Sequence, residues 1–226
     1  MDRWVELGRA SAPEGDDLTL RRRGSEFEIR FNGWEAMSSR NAVSETAFAR
    51  LICEQLRTES PWILIGGLGM GYTLRATLDA VNPKARIVVA ELVPEIVRWN
   101  RGPLAELARR PLDDMRVEVR TDGVVEVLQA CERRYDAILL DVDNGPDTLL
   151  YRPNRFLYSP AGLELLKRAL APNGIVGVWS ADHSLAFENA LETAGMIWRK
   201  VEVTVESRGD GVVHIIYLAR RAVDEE

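Results

Sequence analysis

Ile63-Leu64-Ile65-Gly66-Gly67-Leu68-Gly69-Met70-Gly71 is an apolar run that opens onto a cluster of glycines, and the segment from Leu74 to Val81 then continues at helical spacing. Strand, glycine turn and helix in that order set a buried strand end against a helix N-terminus. Glycines at such a corner accept positive φ angles and let a ligand approach the peptide planes closely. Gly66, Gly67, Gly69 and Gly71 are therefore candidate contacts of a cofactor seat, although the same cluster alone also fits a tight corner with no ligand.

The neighbouring strand ends decide between these readings. Ile87 to Ala90 is an unbroken apolar run followed by Glu91 and Leu92, and a carboxylate at that point can accept hydrogen bonds from both hydroxyls of a ribose. Arg116 to Val119 runs to Thr121-Asp122-Gly123, where Asp122 can accept from an exocyclic adenine amine and a nearby backbone N–H can donate to the ring. Ala137 to Leu140 ends in Asp141-Val142-Asp143-Asn144-Gly145-Pro146. Ligands of open α/β sheets bind outside the carboxyl ends of the strands, so Asp141 and Asp143 are the candidate catalytic carboxylates. A dinucleotide fingerprint asks for glycine at 67, 69 and 72; position 72 is Tyr72, and the spacing Gly67, Gly69, Gly71 favours S-adenosylmethionine over NAD.

Apolar strands alternating with helical patterns continue from Trp62 to Ala194, which predicts a doubly wound, Rossmann-like α/β sheet, mostly parallel and covered on both faces. Val201 to Val205, a turn at Ser207 to Gly211 and Val212 to Leu218 predict an antiparallel C-terminal hairpin. The first forty residues differ. Leu18 to Leu20, Phe27 to Phe31 and Trp34 to Met37, separated by Arg23-Gly24-Ser25 and Asn32-Gly33, predict a short β-meander, with Arg21 to Arg23 a solvated strand face beside Glu26 and Glu28. The expected organisation is a meander over 1–40 and a nucleoside-binding domain over 41–226, entered through a helix that Ser44 would cap. The acidic residues Asp224 to Glu226 are expected to fray.

The chain has 226 residues, 46% of them apolar, with 29 Lys plus Arg against 35 Asp plus Glu. A net charge of -6 argues against a nucleic-acid partner. Cys53 and Cys131 lack metal-type spacing and fit a reducing compartment; no metal is expected. No basic-then-apolar leader or membrane-length apolar run is present, so a cytoplasmic location and no membrane partner are expected.

These strand ends, in their order and spacing, resemble the spermidine synthase family of aminopropyltransferases, a branch of the class I S-adenosylmethionine-dependent methyltransferase fold. The likeness takes in the meander ending near Met37-Ser38-Ser39, the glycine loop, Glu91, Asp122-Gly123, Tyr135-Asp136-Ala137-Ile138-Leu139-Leu140-Asp141, Gly145-Pro146 and Phe156-Leu157-Tyr158. It implies that Glu91 and Asp122 bind the nucleoside, that Asp141 is the acid-base carboxylate, and that the protein forms a homodimer. Glu45, Tyr151 and Tyr158 are the candidates for holding a small, amine-bearing acceptor, and His183 beside Asp182 is a candidate second base.

Three departures bear on the reaction. The family's loop reads Gly-Gly-Gly-Asp-Gly-Gly, and its aspartate, which holds the free amine of decarboxylated S-adenosylmethionine, is Gly69 here. Its Tyr-x-Glu stretch is Val43-Ser44-Glu45, and its Asp-x-x-Asp-Pro loop is altered at Asp141 to Pro146. Because Gly69 leaves room for an intact methionyl carboxylate, the leading expectation is a small-molecule methyltransferase. The alternatives are aminopropyl transfer from decarboxylated S-adenosylmethionine, with its amine anchored elsewhere by Glu45 or Asp143, and a non-catalytic nucleoside-binding protein. NAD-dependent oxidoreduction is disfavoured by Tyr72.

Overall fold

The computed structural model describes residues 2–12, 14–131, 135–207 and 210–222, arranged around two sheets. The first is a four-stranded antiparallel meander, β1 (Val5–Ser11), β2 (Asp17–Arg23), β3 (Glu26–Phe31) and β4 (Trp34–Ser38), with neighbours in sequence order. Phe31 pairs with Trp34, and Asn32 and Gly33 take φ of 48° and 80°, the left-handed pair that closes a two-residue hairpin. Leu18, Leu20 and Ile29 face the core, while Arg21 and Arg23 stand opposite Glu28 and Glu26 on paired strands. The basic cluster is thus a strand face of ion pairs. Strand β1 was not legible: Val5 and Leu7 are exposed, and what fixes the strand is pairing with β2 and the contact of Gly8 with Trp99, whose indole nitrogen would lie 2.6 Å from any Cβ there.

The second sheet contains β5 (Trp62–Gly66), β6 (Arg86–Ala90), β7 (Val117–Arg120), β8 (Tyr135–Leu140), β9 (Leu170–Ser180), β10 (Met196–Ser207) and β11 (Asp210–Arg221). Its spatial order is β10-β11-β9-β8-β5-β6-β7; β5 to β9 are parallel, and β11 is antiparallel to β9 and to β10. The C-terminal hairpin is present as expected, with the last strand inside the sheet and β10 at its edge. Residues 208 and 209 of the expected turn and the acidic residues 224–226 lie outside the described residues.

The helices are α1 (Val43–Cys53), α2 (Tyr72–Ala80), α3 (Pro94–Arg101), α4 (Val124–Gln129), α5 (Pro160–Ala169) and α6 (Leu185–Thr193). Ile63 and Ile65 of β5 pack with Phe48, Ile52 and Leu74 in one apolar cluster, which also takes in the inner face of the meander. Leu64 packs with Leu166, Phe187 and Leu191 in the other. Both faces of the strands are covered, so apolar residues run without alternation, each fully buried Leu or Ile worth about 1.5–3 kcal/mol. Ser44 does not cap α1: the N-cap is Ala42, and Ser44 is buried in the first turn with its hydroxyl turned to other partners. Among the described residues no helix is long and apolar enough to cross a membrane.

Candidate active site

Strand order reverses between β5 and β8, and the crevice at their carboxyl ends is where the sheet offers room to a ligand. Gly67, at φ 85°, donates its N–H to the Ala90 carbonyl at 2.8 Å. A Cβ at Gly67 would stand 2.1 Å from the Asp141 carbonyl oxygen, so only glycine lets the loop lie against the end of β8. Gly71, at φ 83°, begins α2, and Asn100 of α3 donates to the Gly69 carbonyl at 2.8 Å. Met37 of the meander reaches over the loop: its sulfur accepts the Met70 N–H at 3.1 Å, and its Cε lies 2.6 Å from where a Cβ on Gly69 would be. The room left by Gly69 is therefore taken by a thioether.

Glu91 is buried and holds the loop from the β6 side, one oxygen accepting from the Leu68 N–H and the other from the Val93 N–H, each at 2.9 Å. Burial raises its carboxyl against the lowering effect of those N–H groups. Leu92 lines the same cavity. Asp122 is exposed just beyond β7, and its neighbour Gly123, which begins α4, lines the cavity.

Asp141 follows directly on β8 and accepts from the Thr73 hydroxyl at 2.6 Å. Burial first, and the charge of Glu45 second, push its carboxyl up to about 7, within the range of a proton acceptor at neutral pH. Asp143 is occupied differently. Its Oδ1 accepts from the Leu150 and Tyr151 N–H groups at 2.9 and 3.2 Å, and its Oδ2 from the Tyr158 hydroxyl at 3.3 Å. That carboxylate ties down the loop after β8, where Gly145 takes φ 121° against Ser180. Tyr158 is buried edge-on to Phe187, 5.7 Å between ring centres, while Tyr151 lines the cavity.

Glu45, in the first turn of α1, lines the cavity and accepts from the Ser44 hydroxyl at 2.7 Å. His183 is exposed and bound to Glu188 at 2.7 Å and Lys200 at 2.8 Å, a surface cluster outside the cavity lining. The residue that sequence reading passed over is His214 of β11: it lines the cavity, meets the Ser44 oxygen at 2.9 Å and packs edge-on against Trp179, 4.9 Å between centres. Burial lowers its pKa. The only signal was its inward register in a strand whose other inward residues, Ile216 and Leu218, are apolar.

The cavity measures about 430 Å³, the size of a small-ligand site. Five carboxylates, those of Glu35, Glu45, Glu91, Asp141 and Asp143, stand on its wall, and among the described residues that line it there is no lysine or arginine.

Solved structures share this architecture. A spermidine synthase from Thermotoga maritima superposes with a TM-score of 0.75 over 97% of this chain and 73% of its own, at 14% identity. The scaffold is that of the spermidine synthases. A spermidine synthase in complex with the transition state analogue AdoDATO gives 0.71 at 15% identity over 97% of this chain and 73% of that one. A probable spermidine synthase from Corynebacterium glutamicum gives 0.63 at 18% identity over 94% and 79%. No family model matches the chain. Among curated proteins, polyamine aminopropyltransferase 1 of Streptomyces coelicolor is 31% identical over 156 residues, 66% of this chain and 28% of that protein. Polyamine aminopropyltransferase 2 of Pseudomonas aeruginosa is 33% identical over 126 residues, 54% of this chain and 34% of that protein. The chain thus spans about a third or less of these curated relatives.

The spermidine synthase likeness overturns the expectation of a methyltransferase: the relatives and the structural neighbours are named for aminopropyl transfer and spermidine synthesis. The physical premise fails with it. Met37 fills the space above Gly69, and the acidic wall would repel a methionyl carboxylate.

Proposed function

We propose that the protein is an aminopropyltransferase that uses decarboxylated S-adenosylmethionine and a di- or polyamine as acceptor. The observation that carries this reading is the cavity wall of five carboxylates without a lysine or arginine. Such a wall favours a ligand that brings a sulfonium and a free ammonium and lacks a carboxylate, and it equally favours a polycationic acceptor. Glu91 faces the ribose hydroxyls, the glycine loop gives close backbone approach, and Gly123 with Asp122 stands at the adenine end.

Bound there, the nucleoside supplies a three-carbon amine whose carbon next to sulfur is open to in-line attack. The protein aligns the attacking amine and takes its proton. An amine with a pKa near 10.4 must lose a proton before attack, which costs about 4.6 kcal/mol at pH 7. Burial holds Asp141 at about 7, a sulfonium nearby keeps it ionised in the resting complex, and it accepts that proton as the amine is freed for attack. The C–S bond breaks with its electron pair returning to sulfur, which leaves neutral methylthioadenosine. Asp143 shapes the acceptor side by holding the loop that carries Tyr151.

Purified protein incubated with decarboxylated or intact S-adenosylmethionine and a panel of amines tests this. Methylthioadenosine formed only with the decarboxylated nucleoside is the expected result, and S-adenosylhomocysteine as the product overturns the reading. At about 100 times its dissociation constant the favoured nucleoside should add roughly 2.7 kcal/mol of stability.

A further inference from the structure

The wall holds five carboxylates; two have both oxygens bonded, Glu35 is neutralised by a cation, Asp141 is the proton acceptor at the end of β8, and Glu45 remains. Glu35 pairs with Arg40, Glu91 accepts backbone N–H groups on both oxygens, Asp141 accepts from Thr73, and both oxygens of Asp143 are taken by its loop and Tyr158. Glu45 has one oxygen on the Ser44 hydroxyl, and its Oε1 has no hydrogen-bond partner among the described residues. Ser44 has a single hydroxyl proton and gives it to Glu45, so its oxygen receives the Nδ1–H of His214, 2.9 Å away. Two hydrogen bonds therefore hold Glu45 in one orientation from a strand at the far end of the sequence. Across the cavity, the glycine loop offers no acidic side chain at position 69, where Met37 sits instead.

We propose that Glu45 is the anchor for the free ammonium of the aminopropyl donor, moved from the glycine loop to the first turn of α1, and that His214, acting through Ser44, is its positioning residue. This rests on the aminopropyltransferase reading and goes beyond it by assigning the contact that distinguishes the donor from its product. Methylthioadenosine shares the nucleoside but lacks the ammonium, so a residue that binds the ammonium affects one ligand and spares the other.

Calorimetric titration of the full chain with decarboxylated S-adenosylmethionine and with methylthioadenosine tests the assignment. Glu45→Gln should weaken the first at least tenfold and change the second less than twofold. His214→Phe keeps a ring against Trp179 but loses the hydrogen bond, and it should weaken the first about threefold with the second unchanged. Equal loss for both nucleosides, or none for either, overturns the anchor. If Glu45→Gln fails to fold, Glu45→Asp keeps the charge and should still prefer the ammonium-bearing nucleoside; loss of all preference there overturns it too. Turnover with full discrimination in Glu45→Gln overturns the anchor and leaves the reaction standing. Glu45-dependent discrimination without turnover of any amine supports the anchor and overturns the reaction.

Discussion

Replacing Asp141 by asparagine should abolish turnover and, above neutral pH, make the fold more stable. The carboxyl is pushed from an ordinary 3.8 to about 7 in the folded protein, chiefly by burial and then by Glu45. A raised acid favours folding while it is protonated, and that benefit is lost as pH rises from about 4 through 7. At pH 8 the folded protein therefore carries a penalty whose upper limit is about 4 kcal/mol at 1.36 kcal/mol per pH unit. Asp141 keeps some contact with the open cavity, which brings the expected value nearer 2 kcal/mol. Asparagine removes the charge, and its carbonyl can still accept from Thr73. In a chain of this length each kcal/mol moves Tm by about 2–4 °C, so the variant should melt at least about 4 °C higher at pH 8. Near pH 4 the two proteins should melt together, because both then carry a neutral group at this position. Thermal melts of wild type and Asp141→Asn from pH 4 to 8 measure the difference. Melting curves that stay parallel across that range would refute the charge penalty at Asp141.

Gly67→Ala should cost more than about 2 kcal/mol, because the backbone is at φ 85° and the new Cβ meets the Asp141 carbonyl; denaturant unfolding and methylthioadenosine titration should both register it. Asp143→Ala removes the acceptor of two backbone N–H groups and should cost about 1–3 kcal/mol, with faster hydrogen exchange at Leu150 and Tyr151 as the local readout. Glu28 is 1% exposed and bridges Arg21 and Arg30 at 2.6 and 2.8 Å, so Glu28→Gln should lower stability by about 3 kcal/mol in urea unfolding, and an unchanged midpoint would mean that the pair contributes nothing.

The glycine loop and the strand ends were legible because a parallel sheet buried on both faces writes its strands as unbroken apolar runs, which makes the polar residue after each run conspicuous. Glu91, Asp141 and Asp143 stood out for that reason, and all three line one cavity. Residues whose role depends on a distant partner were not legible. Ser44 looks like a helix cap in isolation, but its hydroxyl is claimed by Glu45 and by a histidine 170 positions away. His214 itself sits in an apolar alternating strand, where one polar letter carries no sign of what it faces. Tyr158, open in the sequence to an acceptor contact or a core role, is a buried ring whose hydroxyl donates to Asp143. Strand β1 lacks a clean alternation because its pairing and Trp99, and not a buried face of its own, hold it. The relatives and structural neighbours overturned the methyltransferase expectation, and Met37 folding back over Gly69, a contact between segments that no local pattern announces, removed its physical premise.

Because β11 lies between β9 and β10, the outermost strand touches the sheet only through its hairpin partner. While the hairpin stays paired, β11 cannot leave β9 without taking β10 with it, and a shift of β11 moves His214 relative to Ser44. The integrity of that border and the aim of Glu45 are thus one mechanical property, so damage to the edge far from any nucleoside contact should surface first as lost preference among ligands.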